Sequence, residues 1–444
     1  RVKESGSFAQ NVSIVFSGNF LNLLLQFGLA PIISRVYGPE AYGEYAYYNL
    51  IIGNIAFFAA FSLPTVYVLP KARIEYLSLA KVVIYSMLLA ILFSLIALFF
   101  LNGSLFDFQG SKLAIPLVAA IILFSGLNNV FKAWNARQKN FRRNTSVDVL
   151  SNLSAKLFTL AAGYYWKPIG LGLLSGDGIR SISIFFTQTS LKVRLVILRF
   201  MLSISNWPEV WEILKKHLNV PKYVFPSQLI SKWTADLPIL VIGGYFGKEM
   251  LGYYTFALTM LNIPKSLIAN SFQPVLYQKL NELYQAKSSR LQEFLTYGFL
   301  GAALIFILPI TLISTFGEQL FGFFFGDEWT YSGKVMLVIC TEVVVSTIMA
   351  PFGGIRRIFG FEKKILFMSF LSIIFKLAGL GLLVVFNFQL LDFLLIYASL
   401  NTVYLLINQF DILWHVIGKK RAFGILSFNL ILIIIAIFII QIFI

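Results

Sequence analysis

"YGPEAYGEY" (Tyr37–Tyr45) comes back as "FGKEMLGYY" (Phe246–Tyr254), nearly half a chain later. The two share aromatic-Gly-x-Glu-x-x-Gly-x-Tyr. Each copy has a long apolar run before it and another after it, so one short turn joins the first and second apolar segments of two successive stretches of chain. Its residues have a physical reason to recur. Gly38 and Gly247 are placed to end a helix in the left-handed conformation. Glu40 and Glu249 fall near the N-terminal end of the following helix, where the helix dipole favours an anion. The tyrosines are expected at the depth of a membrane interface, as members of an aromatic belt. Arg35, just upstream, completes a candidate external turn or gate with Glu40 and Glu249.

Of 444 residues, 58% are hydrophobic and 13% charged. A soluble chain is about one quarter charged, so composition marks an integral membrane protein. A crossing helix takes about 20 apolar residues. Thirteen segments qualify: 8–34, 45–70, 79–102, 113–134, 146–166, 169–191, 223–246, 252–276, 294–316, 334–354, 365–386, 390–414 and 422–443. No signal peptide is evident, because the first apolar segment is too long and more follow directly. The chain starts at Arg1 rather than Met and stops at Ile444 inside an apolar run, which reads as trimming at one or both ends.

Charge sorts by side. With the N-terminus inside, the loops 1–7, 71–81, 132–148, 192–222, 279–293, 356–364 and 419–421 hold 26 of the 36 Lys and Arg and eight of the 20 Asp and Glu. The opposite loops hold five basic residues (Arg35, Lys112, Lys167, Lys248, Lys334) and eight acidic ones. The positive-inside rule then puts the N-terminus in the cytoplasm, and the net charge of +16 is topological rather than the footprint of a nucleic-acid partner. Within 192–222, "NWPEVWEILKKHL" offers Asn206 as an N-cap, with Pro208 and Glu209 in the first turn. Trp211, Leu214 and Leu218 share one face and Lys215 and Lys216 another, as in an interfacial amphipathic helix or a solvated linker helix.

Six spans precede that linker, so the seventh starts in the same orientation as the first. The expected fold is an all-α integral membrane protein with two parallel six-helix lobes, 1–191 and 223–414, related by a pseudo-twofold axis along the membrane normal. The linker 192–222 joins them, and 415–444 adds at least one further C-terminal span. Transporters of this kind hold substrate between lobes and expose it alternately to each side.

Nine charged residues fall inside spans: Lys156, Asp177, Arg180, Lys232, Asp236, Lys265, Glu342, Lys376 and Asp411. Facing lipid at mid-depth, each would cost roughly 3 kcal/mol, on the order of 25 kcal/mol together, so most must face protein or a wet cavity. Asp177 with Arg180 and Lys232 with Asp236 share a helix face and read as pairs. Lys156, Lys265 and Lys376 have no acid one turn away; their partners are carbonyls, Glu342 or a substrate. Asp411 lies near the cytoplasmic end beside His415, which reads as a snorkelled or surface-facing position. Lysine ammoniums in a central hollow suit an anion such as a lipid pyrophosphate or acidic sugars, while Asp236 or Glu342 is alternatively a proton or cation coupling site.

Further stretches carry a family resemblance. In the first half these are "RVYGPEAYGEYA" from Arg35, "YVLPKARIEYLSL" from Tyr67, "WNARQKNFRRNTSVDVLSNL" from Trp134 and "PIGLGLLSGDGI" from Pro168. In the second they are "DLPILVIGGYFGKEMLGYYTFALTMLNIPKSLIANSFQPVLYQKL" from Asp236 and "FGDEWTYSGK" from Phe325. In order and spacing the chain resembles an oligosaccharide or polysaccharide flippase, the O-antigen or colanic-acid-exporter type, of the multidrug/oligosaccharidyl-lipid/polysaccharide exporter superfamily. That resemblance implies movement of an undecaprenyl-pyrophosphate-linked oligosaccharide from the cytoplasmic to the periplasmic leaflet of a bacterial inner membrane. It implies a central cavity whose cations, here Lys156, Arg180, Lys232, Lys265 and Lys376, face the pyrophosphate, with Asp177, Asp236 and Glu342 in coupling or ion pairing. Proton or cation coupling and contact with glycan polymerase machinery belong to the same expectation. Many relatives have Arg after the Asp equivalent to Asp236, whereas Leu237 and Pro238 follow here; Lys232, one turn earlier, is the substitute. Members have twelve or fourteen spans, so a fourteenth is expected beyond Ile444.

Rival functions leave other marks. A membrane glycan polymerase or ligase needs catalytic groups on a sizeable external loop; the longest, 317–333, offers Glu318, Asp327 and Glu328 with no basic partner inside it. The phosphate-binding G-x-x-x-x-G-K-[ST] loop of an ATP-driven exporter is absent. A drug exporter of the same superfamily would favour acidic or aromatic residues for cationic cargo, and a lipid II flippase would share both lobes and pyrophosphate. No cofactor or metal is expected: His217 and His415 lie far apart in surface loops, and the single Cys340 reads as a buried, inert thiol.

Overall fold

A computed structural model describes residues 8–67, 70, 72–100, 113–165, 168–203, 207–288 and 290–443. Asn206 and the charges Lys71, Lys112 and Lys167 lie outside them. Seventeen helices follow one another: α1 (Phe8–Val36), α2 (Pro39–Ala60), α3 (Arg73–Phe100), α4 (Ala114–Arg137), α5 (Phe141–Tyr165), α6 (Gly170–Thr187), α7 (Leu191–Leu202), α8 (Trp207–Lys216) and α9 (Phe225–Phe246). Then come α10 (Lys248–Gln285), α11 (Arg290–Thr315), α12 (Gly317–Phe325), α13 (Thr330–Met349), α14 (Ile355–Ile358), α15 (Glu362–Phe386), α16 (Leu390–Ile417) and α17 (Lys419–Phe443). No strand occurs among the described residues. Backbone groups have no water to bond to inside a bilayer, and helices satisfy them internally.

The thirteen helices of eighteen residues or more fall on the thirteen expected segments. By length and composition alone seven are apolar enough to cross, or eight if α6 and α7, bent by 103° at their junction, count as one. Among the other long helices α5 is the most polar, with "RRNTSVD" in its first turns. Two boundaries differ from the sequence reading. The second segment ends at Ala60 rather than near 70, because Phe61 and Ser62 turn to positive φ (47° and 57°) and "LPTV" continues as a 3-10 turn. Pro64 disfavours helical backbone at the residue before it. The eighth segment runs 38 residues as α10, about 57 Å at 1.5 Å per residue, and so exceeds a hydrocarbon core of about 30 Å.

The chain divides into two compact units, Arg1–Lys232 and Trp233–Ile444. In the first, α3 and α4 pack with α2, α7 and α8 around Leu79, Ala80, Val130, Phe131 and Ile197. In the second, α11, α13, α16 and α17 enclose Phe299, Ile307, Val345, Leu413 and Ala422. The unit helices contact in the same order: α2, α3 and α6 on α4 in the first, and α10, α11 and α16 on α13 in the second.

The linker helix packs on the first unit by one face. α8 buries Val210 and Ile213 against α3, while Trp211 and Leu218 are 56% and 47% exposed. Lys81 holds the same junction. Its side chain is fully buried, donates to the Ser203 carbonyl and lies 5.0 Å from the Trp207 ring centre and 5.6 Å from that of Phe200, a cation–π arrangement. At the α6–α7 bend, Arg143 donates to the Thr187 carbonyl and Arg194 to those of Phe186 and Thr189. These are the orphan acceptors of a helix C-terminus, where a cation is favoured.

Asp411 is half-buried in an ion-pair network rather than fully surface-facing. It accepts from Arg356 at 2.8 Å and lies 3.4 Å from both Lys364 and His415, tying the 350–364 turn to α16. Arg356 is 8% exposed and also donates to Asn408 at 2.6 Å. Removing this carboxylate strands a buried guanidinium, a loss typically of about 3 kcal/mol or more. Asp411→Ala should therefore lower the thermal unfolding midpoint of the purified protein by several degrees, and Arg356→Met in the same background should recover most of it; an unchanged midpoint in the single variant counts against the network.

Candidate functional site

The repeated turn opens both units in a similar way, though not by the expected glycine geometry. Gly38 is extended at φ −72° and needs no special freedom, whereas Gly247 sits at φ 90°, ψ 175°, a region open to glycine alone. Both cap the following helix rather than close the preceding one in a left-handed turn. Glu40 and Glu249 lie in the first turns of α2 and α10, as the dipole argument requires. They and Arg35 are exposed, and Glu249 accepts from Tyr253 at 2.9 Å.

Three tyrosines of the turn face the interior of their units. Tyr37 is fully buried, seated in space left by Gly163 and Gly172, and donates to the Thr159 carbonyl at 2.7 Å. The last tyrosine of each copy, Tyr45 and Tyr254, points at an acid inside its own unit. Tyr45 donates to Asp177 at 2.5 Å, and Tyr254, 6% exposed, lies beside Glu342.

Around Asp177 the first unit gathers Lys156 from α5 and Arg180 one turn along α6, both within Coulomb range of the carboxylate. Glu44, also from the turn, bonds the backbone N–H of Gly170 at 2.9 Å and so anchors the start of α6. The second unit gathers Lys265 from α10 and Lys376 from α15 around Glu342 on α13. Lys265 Nζ donates to Ser346 Oγ at 2.9 Å, one turn along α13 from Glu342. Tyr397 and Asn401 of α16 lie beside the same carboxylate. Lys156 and Lys376 occupy the fifth long helix of their units. All six charged side chains are half-buried.

Lys376 has a partner that follows from sequence. In a helix the carbonyl of residue 234 accepts from the N–H of residue 238, but that residue is proline and has none. Lys376 Nζ fills the gap, donating to the Thr234 carbonyl at 2.8 Å. The fourth candidate lysine, Lys232, lies against α2, where a Cβ at Gly53 would sit 3.1 Å from its Nζ. Asp236 is half-buried one turn further on. The expected pairing of Asp177 with Arg180 is thus part of a larger cluster whose hydrogen bond comes from Tyr45. Tyr45, Ser346 and Asn401 were not singled out by sequence, although the repeat had already marked the first. Among the described residues no group of three or more His, Cys, Asp and Glu could hold a metal ion.

Residues 32–334 match the family model described as "Polysaccharide biosynthesis protein". The chain is 25% identical to the capsular polysaccharide biosynthesis protein CapF of Staphylococcus aureus over 74% of its own length and 80% of that protein's. It is 22% identical to the succinoglycan biosynthesis transport protein ExoT of Rhizobium meliloti (strain 1021) over 74% of its length and 64% of that protein's. Among solved structures, an inward-facing multidrug resistance MATE family transporter of the MOP superfamily superposes with a TM-score of 0.53 at 16% identity, covering 93% of this chain and 98% of that one. A MOP superfamily transporter from Pyrococcus furiosus does so at 0.51 and 15%, covering 95% and 97%. Such likeness establishes the fold.

The proline-freed carbonyl gives a double-mutant test. Lys376→Ala alone should destabilise the purified protein by about 1 kcal/mol through the lost bond to Thr234. In a Pro238→Ala background, where a backbone N–H refills that carbonyl, the same change should cost measurably less; equal costs in the two backgrounds would deny the link.

Proposed function

The chain belongs to the polysaccharide biosynthesis protein family, within the multidrug/oligosaccharidyl-lipid/polysaccharide exporter superfamily, and from that membership we propose that it is a flippase for an undecaprenyl-pyrophosphate-linked oligosaccharide. It moves this cargo from the cytoplasmic to the periplasmic leaflet of a bacterial inner membrane by alternating access, without catalysing covalent change. The observation that carries the reading is charge balance. Lys156 and Arg180 face one carboxylate, Asp177, and Lys265 and Lys376 face one, Glu342. Each cluster therefore keeps a surplus of one positive charge amid apolar helices, which suits an anionic headgroup such as a pyrophosphate. Ammonium groups serve this as mobile point charges.

Lys232 adds a further cation, and Arg35, Glu40 and Glu249 mark the external turn of each unit. Asp177, Asp236 and Glu342 are the groups through which a proton or cation would couple to transport. The names of the relatives, capsule and succinoglycan biosynthesis, favour a glycan over a small molecule. A cationic drug would meet two like charges for every acid in either cluster, which disfavours the drug-exporter alternative; a lipid II flippase would need the same pyrophosphate surplus.

Lys265→Ala and Lys376→Ala should each abolish export of the surface polysaccharide while leaving membrane levels normal. Normal glycan in both would reject the cationic site. The orientation is checked separately. In a Cys340→Ser background, a cysteine at Arg142 should react with a membrane-impermeant maleimide only in inverted vesicles, and one at Glu328 only in intact spheroplasts; the reverse pattern would invert the topology.

A further inference from the structure

Glu342 stands among groups that would otherwise all attract an anion. Lys265 and Lys376 flank it, and Tyr254, Tyr397 and Asn401 lie beside it. A metal ion is an unsuitable occupant, because the two ammonium groups already supply the positive charge. Each ammonium carries three donors and is held meanwhile by a modest neutral acceptor, Ser346 Oγ for Lys265 and the Thr234 carbonyl for Lys376. The carboxylate is fixed to α13, whereas a phosphate is free to come and go.

We infer that Glu342 is a resident counter-anion that competes with the substrate's pyrophosphate for Lys265 and Lys376. With no cargo bound, it neutralises one ammonium charge that would otherwise stand uncompensated between helices. When the pyrophosphate arrives, its oxygens take donors from the two lysines. When cargo must leave, the carboxylate is already in place to retake the ammoniums. Passage requires binding strong enough to enter and weak enough to leave, and a fixed internal anion sets that compromise. Asp177, bonded to Tyr45 between Lys156 and Arg180, repeats the arrangement in the first unit. Glu342 is thus a positioning residue: it acts on the cargo through the lysines.

This rests on the anionic-cargo reading above, and the experiment separates the two. Farnesyl diphosphate binding is measured on full-length protein in nanodiscs for the native chain, Glu342→Gln, Lys265→Gln and the double variant, alongside glycan export in cells. Glu342→Gln should bind about five- to tenfold tighter, show a steeper salt dependence, and export less. Removing the acid leaves two uncompensated ammoniums and carries a risk of misfolding, so the double variant, which keeps the cluster's net charge at the native value, is compared with Lys265→Gln. It should bind more tightly by a similar factor. If the native protein binds and Lys265→Gln binds more weakly, but removing Glu342 tightens neither background, the counter-anion role is overturned and the cationic site stands. If the native protein fails to bind the probe, both readings fall.

Discussion

An ionised side chain inside a bilayer must find its compensation within the protein. Water is not there to supply it, and lipid tails cannot. Everything distinctive about this chain follows from meeting that constraint twice, once in each compact unit. Asp177 and Glu342 each sit between two cations, and a tyrosine from the repeated turn reaches each acid. Apolar burial contributes little to holding helices together in lipid, so close backbone approach and interhelical polar contacts matter more. Tyr37 packed into the space left by Gly163 and Gly172 is one case, and Lys376 on the Thr234 carbonyl another.

The same constraint separates two classes of basic residue. At the loops, Arg143, Arg194 and Arg356 donate to carbonyls and a carboxylate and hold turns in place; they are numerous, and their role is topological and architectural. The intramembrane lysines are few and half-buried, and their partners are exchangeable. A protein that only needed a stable interior could replace such clusters by apolar side chains with no loss of stability. Retaining a cationic surplus in each unit is understandable if an anion is to be bound and then let go.

Much of the fold was legible in the sequence because hydrophobic length and charge asymmetry are local signals. Thirteen segments and thirteen long helices coincide, and the repeat marks the same junction in both units. The reading erred where tertiary packing decides. The second helix stops at Ala60 because two residues turn to positive φ before Pro64. Asp411 is drawn inward by Arg356. The acid–lysine clusters were half legible. Their charged members stood out as intramembrane ions, but contacts between α5 and α6, or among α10, α13 and α15, join residues far apart in sequence. Only Pro238 carried a hint of a partner, since any proline within a helix frees the carbonyl four residues earlier.

The central claim is that each buried acid is energetically tied to the lysine across from it. A double-mutant cycle between Asp177→Asn and Lys156→Met, read as unfolding free energy in lipid nanodiscs, measures that tie directly. The account predicts a coupling of about 1 kcal/mol or more between the two positions. Independent, additive effects would mean that the charges ignore one another, and that the interior of the first unit is organised by something else.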